Sequence, residues 1–186
     1  MRQILDSTFP RLLLALVLSA VCAGSALAQG EAAKKWRESR IKVPEVSYET
    51  TIEPADAKPG DTVEYKVTVK VAAPWHIYAW AEKQPDEGPR STQFNLFDTG
   101  GLTADKGWKP DHNAETTKEP AFPNLDSVAF HQKKVSWSTP LTIPTNAKPG
   151  KAVVKGQMLF QICNEGACKP PTTVALPEAS VNIQGQ

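Results

Sequence analysis

From Glu45 to the C-terminus, apolar and polar residues alternate with a period of two, the pattern of strands with one buried face. Val46, Tyr48, Thr50 and Ile52 alternate with polar neighbours and predict a first strand. Pro54 to Gly60 reads as a turn, with Pro59-Gly60 suited to the central positions of a type II turn. Val63, Tyr65, Val67, Val69 and Val71 then alternate with Glu64, Lys66, Thr68 and Lys70, the clearest strand in the chain. Trp75–Trp80 and Thr92–Phe97 are shorter candidates. Residues 98–124 are rich in Gly, Pro, Asp and Asn without a firm period, and predict a long loop region. Val128–Trp137 predicts a strand with Val128, Phe130 and Val135 inward, and Leu141–Ile143 a short one. Lys151–Ile162 predicts a long strand, with Ala152, Val154, Met158, Phe160 and Ile162 on one face. Thr172–Ile183 closes the chain as a strand interrupted near Pro177. No segment carries the 3.6-residue apolar period of a core helix. About seven to nine short strands separated by Pro/Gly turns predict an all-β, immunoglobulin-like β-sandwich over residues 45–186.

The first 28 residues break this pattern. Arg2 and Arg11 flank an apolar run from Leu12 to Val21, and Ala26-Leu27-Ala28 matches a cleavage site. This predicts a cleavable signal peptide, residues 1–28, and an exported, periplasmic chain. The apolar run falls short of the ~20 residues of a permanent span, and no later stretch is apolar enough to cross a membrane. Residues 29–44 are polar apart from Trp36, end at Pro44, and read as a flexible leader.

Charge excludes one class of function. The chain carries 21 basic and 20 acidic residues. Losing Arg2, Arg11 and Asp6 with the signal leaves 19 of each. A nucleic-acid binder would show a basic excess or stripe, so no nucleic-acid partner is expected. Cleavage also removes Cys22, so three cysteines become two, Cys163 and Cys168.

Those two are spaced C-x4-C. Fully extended, their Cα atoms would stand roughly 16 Å apart, whereas a disulfide needs them within about 7 Å. If they pair, the chain folds back between them, and Asn164-Glu165-Gly166-Ala167 is suitable turn material, with Gly166 available for positive φ. Three readings are open. A structural disulfide closing so small a loop contributes only about 2 kcal/mol in the chain-entropy model. A metal site would join the sulfurs to His76, His112 or His131, although no second ligand pair has zinc spacing. A redox-active dithiol suits an exported chain with one cysteine pair. No cofactor motif is present, and neither cofactor nor metal is expected.

The segment Phe160–Pro171 resembles the active-site stretch of the amino-terminal periplasmic domain of DsbD, the thiol:disulfide interchange protein. It has an apolar strand ending in Gln-x-Cys, a short loop with an acidic residue and Gly, then Cys-x-Pro-Pro and a Thr-containing strand. Ala73-Pro74-Trp75-His76-Ile77-Tyr78 resembles that family's aromatic strand, and Glu119–Pro123 falls where the family carries a loop capping the active site. The resemblance covers about residues 45–184. It implies an immunoglobulin-like sandwich with Cys163 and Cys168 near one end. It implies a thiol–disulfide oxidoreductase domain in which Cys168 forms the mixed disulfide with a partner and Cys163 resolves it. Its implied partners are periplasmic thioredoxin-fold proteins; because the chain ends at Gln186, the expectation is either a separate membrane electron donor of the DsbD/CcdA type or a module working in a different relay. Phe122 is then a candidate cap, Trp75 and Tyr78 candidates for the docking surface, and Glu165 and Lys169 neighbours of the cysteines. Lys169 would favour the Cys168 thiolate and Glu165 would oppose it; Glu165 also reads as a solvated turn residue. His76, between aromatics, reads as a hydrogen-bonded or edge histidine. The competing function is a non-catalytic Ig-like binding module with a small structural disulfide.

Overall fold

The computed structural model describes residues 35–185. The predicted signal peptide, the start of the leader and Gln186 lie outside the described residues. Within them the chain forms β1 (Val46–Glu53), β2 (Asp56–Ala57), β3 (Thr62–Val71), β4 (His76–Tyr78), β5 (Gln93–Asp98), β6 (Thr103–Ala104) and β7 (Lys109–Pro110). These are followed by β8 (Glu115–Thr117), β9 (Val128–Gln132), β10 (Lys134–Thr142), β11 (Gly150–Phe160), β12 (Ile162–Cys163), β13 (Thr172–Ala175) and β14 (Ala179–Ile183). There is no helix among the described residues, as the missing 3.6-residue period predicts, and so none that could cross a membrane.

The architecture is an all-β sandwich. One sheet runs β1-β3-β10-β6, with β7 also on β10; a second runs β13-β11-β14-β2, with β5 also on β11. Their facing side chains form a single core. Tyr65, Val67 and Trp137 from the first sheet meet Val154, Met158 and Phe160 from the second, all essentially inaccessible to water. The turn before β3 closes as expected. Asp61 donates its N–H to the Lys58 carbonyl, and Gly60 takes φ +94°, which a residue with a Cβ resists.

The long strands follow the period-two pattern, and the departures have physical causes. The strand expected over Val128–Trp137 is two strands. Lys133 takes φ 61° and turns the chain between β9 and β10. Its carbonyl accepts the Val71 N–H at 2.7 Å, which fixes the corner. The imperfect alternation after it arises because Ser136 is buried with its hydroxyl 3.0 Å from that of Thr68, its cross-strand partner. Leu141 and Thr142 are not a separate strand but the end of β10. The long strand after Gly150 stops at Phe160, and the chain re-enters a ladder as β12. Residues 98–124 include three short strands, β6, β7 and β8, where a loop region without strands was expected.

A third, smaller sheet of order β12-β4-β9-β8 therefore collects the continuations of β10 and β11 at one end of the sandwich. Its two faces differ. His76, Tyr78, Phe130 and Cys163 lie on one; Ile77, His131 and Ile162 lie on the other, and Ile77 and Ile162 join the main core. The stretch read as a leader is described from Lys35. There, the Trp36 backbone exchanges hydrogen bonds with the side-chain amide of Gln157, and Ser39 donates its N–H to the Thr173 carbonyl of β13 while its hydroxyl oxygen accepts the Thr173 N–H.

Candidate functional site

Cys163 ends β12 and Cys168 faces it across a one-bridge antiparallel pairing, with a disulfide joining them and Cα atoms 4.0 Å apart. The four residues between them form a closed loop. Asn164 donates its N–H to the Ala167 carbonyl, and its side-chain oxygen accepts the N–H groups of Gly166 and Ala167 at 3.0 and 2.8 Å. The asparagine side chain thus shapes the turn, and Gly166 is not in the left-handed region that its composition suggested. Gln161, the Gln of Gln-x-Cys, braces the base. Its amide donates to the Lys169 carbonyl at 3.1 Å, and its oxygen accepts the Arg90 N–H at 2.8 Å.

The two cysteines are unequally buried. Cys163 is 0 % exposed, whereas Cys168 is half-buried. Around them lies the second apolar cluster of the molecule: Tyr78, Val128 and Phe130, with Leu125 packed against it. Into this cluster the chain places a carboxylate. Glu119, 2 % exposed, lies with an oxygen 3.1 Å from His76 Nε2 and accepts the Tyr78 hydroxyl at 3.2 Å. His76 is paired directly with Cys163 in the β4–β12 ladder, so both side chains share a face. Its ring is fixed between Tyr78, edge-on at 5.3 Å, and Phe130 at 4.7 Å. Burial, reinforced by the neighbouring Glu119 carboxylate, pushes the Tyr78 hydroxyl well above the usual phenol range, so Tyr78 stays a donor. Ligand atoms of Cys163, His76 and Glu119 lie within 4.8 Å of one another.

The other predicted residues are distributed around this centre. Lys169 does not stand free beside Cys168. Its ammonium lies 2.7 Å from both carboxylate oxygens of Glu45 and 5.2 Å from the centre of the Trp75 ring. The hydrogen bond from Lys169 holds the Glu45 carboxyl below its ordinary range. Glu165 is exposed at the loop tip. Phe122 is half-buried in the turn where its N–H meets the Glu119 carbonyl, and Leu125 is the apolar side chain of that segment packed on the cysteine cluster. Glu119 carried no sequence signal of its own beyond its place in the expected cap loop. Of the three histidines, only His76 reaches the cysteines. His131 Nδ1 and His112 Nε2 lie 3.2 Å apart in a separate group with Asp111.

No family profile and no curated protein sequence matches the chain. Similar solved structures include the N-terminal periplasmic domain of ScsB from Proteus mirabilis, at 13% identity and TM-score 0.46 over 76% of this chain. They also include the sporulation control protein Spo0M from Bacillus subtilis, at 11% identity and TM-score 0.34 over 77% of this chain. A third is the seventh ScaB type I cohesin from Pseudobacteroides cellulosolvens, at 10% identity and TM-score 0.31 over 75% of this chain. This chain covers 49% of the ScsB chain, 51% of the Spo0M chain and 93% of the cohesin.

Proposed function

We propose that this chain is an exported thiol–disulfide interchange module that relays electrons through Cys163 and Cys168. The observation that carries the reading is the asymmetry of the pair: one cysteine partly exposed at the end of a short loop, the other buried close to an acid and a histidine. Exchange needs an accessible sulfur and a leaving thiol. Cys168 supplies the first. In the dithiol form its thiolate attacks a partner disulfide, forms a mixed disulfide and releases the partner's first sulfur as a thiolate. Cys163 then attacks the Cys168 sulfur, restores the intramolecular disulfide and releases the partner's second thiolate. In the reverse direction Cys163 departs as a thiolate with no water contact, where an uncompensated charge is costly. His76 and Glu119 are the adjacent groups able to hold the proton that neutralises it.

The resemblance to the DsbD amino-terminal domain points to thioredoxin-fold proteins of the periplasm as partners and a membrane-embedded electron donor. Two measurements test the reading. Redox titration with alkylation and mass analysis should place the pair in the exchangeable range; a pair still oxidised below about −300 mV would make it structural. The Cys163→Ala variant should trap a thioredoxin-fold protein on Cys168 as a mixed disulfide. Recovery of no such adduct from periplasmic extract would overturn the relay and leave an Ig-like binding module.

A further inference from the structure

The same centre has a donor set that disulfide exchange does not require. We infer that the reduced form binds one thiophilic divalent cation of the zinc type through Cys163, Cys168, His76 and Glu119, and that the oxidised form does not. The inference rests on the exchange reading in one respect, that the disulfide can be opened.

Zinc takes four ligands in a tetrahedron, with nitrogen and oxygen at about 2.0–2.2 Å and thiolate sulfur at about 2.3 Å. Nitrogen and oxygen ligands on such a tetrahedron stand roughly 3.3 Å apart, and His76 Nε2 and Glu119 Oε2 are already at 3.1 Å. The Cys163 sulfur lies within 4.8 Å of both, and Cys168 faces it in the same hairpin. Orientation is supplied in advance. The Tyr78 hydroxyl holds the carboxylate and the flanking rings hold the imidazole, as outer-shell groups do in metal sites. Charge favours occupancy. Two thiolates and a carboxylate would place three negative charges in a site where Cys163 and Glu119 have almost no water contact, and a divalent cation offsets two of them. In the disulfide neither sulfur is a thiolate, so only His76 and Glu119 remain as ligands.

The cycle balances. A dithiol or phosphine reductant supplies two electrons, and two protons give two thiols. The cation then binds both sulfurs as thiolates and displaces those protons to solvent. A partner disulfide that reoxidises the pair takes up two electrons and returns the cation to water. Metal occupancy would thus withhold the dithiol from exchange.

Cobalt(II) is the probe. The protein is reduced with a phosphine, freed of reductant without air, and titrated with Co²⁺ while free thiols are counted in parallel. The expected result is one equivalent bound, with thiolate-to-cobalt charge-transfer absorption and tetrahedral visible bands, displaced by Zn²⁺ and absent from the oxidised protein. His76→Ala and Glu119→Gln should each weaken binding by about tenfold or more. Glu119→Gln keeps the shape and polarity of the side chain, and circular dichroism of the oxidised variant checks its fold. Two free thiols without the cobalt bands, or unchanged affinity in both folded variants, would overturn the inference and leave the exchange reading standing. Failure of any thiol to appear would overturn both.

Discussion

The third sheet carries two histidines on neighbouring strands that face opposite ways, and their surroundings share little. His76 points toward the cysteines and meets a carboxylate, a phenol and a sulfur. His131, beside Ile77 in the ladder, points toward the main core, edge-on to the Trp137 ring at 5.4 Å. It is 2 % exposed, and its Nε2 has no hydrogen-bond partner. Burial, and then the neighbouring His112, lower its pKa to about 4, so it is neutral near pH 7. Burial resists ionisation of Asp111, but the Ser136 N–H and the His112 ring outweigh it and hold that carboxyl below its ordinary range. The difference teaches that burial alone does not make a histidine chemical. His76 is buried beside a carboxylate that can share a proton and close to the Cys163 sulfur, whereas His131 is buried chiefly against an aromatic ring and a second histidine.

The contrast can be broken at its core side first. Ile77→Ala should cost about 2–5 kcal/mol in denaturant unfolding, because it opens a cavity among fully buried neighbours. The reduction potential of the pair should stay close to that of the parent. A large shift in potential would show that the two faces are not separable.

His131 should set an acid limit. Its folded pKa of about 4 lies below the ordinary 6.5, so the unfolded chain binds the extra proton first. Stability is then full above pH 6.5 and falls as pH drops toward 4, by about 3 kcal/mol in all. Melting temperature against pH measures it, and His131→Asn should flatten that segment of the curve. His76 variants should leave it in place.

On the site face, Tyr78→Phe removes a hydrogen bond to the buried Glu119 carboxylate and should cost about 1.5–3 kcal/mol in the oxidised protein. It should also alter the pH profile of thiol exchange, which a purely structural contact would not touch. The smallest effect belongs to Glu45→Gln. Loss of this part-buried pair, whose Lys169 partner keeps its stacking on Trp75, should lower the melting temperature only slightly. Freed from its carboxylate, Lys169 should speed alkylation of reduced Cys168. An unchanged rate would separate Lys169 from the chemistry.

Much of the sandwich could be read from the chain because β1, β3 and β11 each bury one face, and a period of two survives even where Thr68 and Gln157 occupy buried positions. The corner at Lys133 was not legible. A lysine at positive φ carries no local signal, and the constraint comes from Val71, distant in sequence. The cysteine hairpin was legible because its turn residues and both sulfurs fall within six positions. Glu119 illustrates the opposite case. Its partners His76 and Tyr78 are 43 and 41 positions away, and a glutamate between Lys118 and Pro120 reads as a surface residue until the fold buries it. The short strands β6, β7 and β8 escaped for a similar reason, since each is defined by its pairing with β10 or β9 rather than by alternation of its own.

The hydrogen bonds between Trp36 and Gln157 bear on where this chain can be trimmed. Gln157 lies in the middle of β11 with no water contact, and both ends of its amide are satisfied by the backbone of Trp36. A fragment begun at Glu45, where the alternating pattern starts, would keep every long strand and lose both hydrogen-bond partners of that amide. The shortest piece that retains its amide partner begins at or before Trp36, ahead of the first residue that sequence periodicity would select.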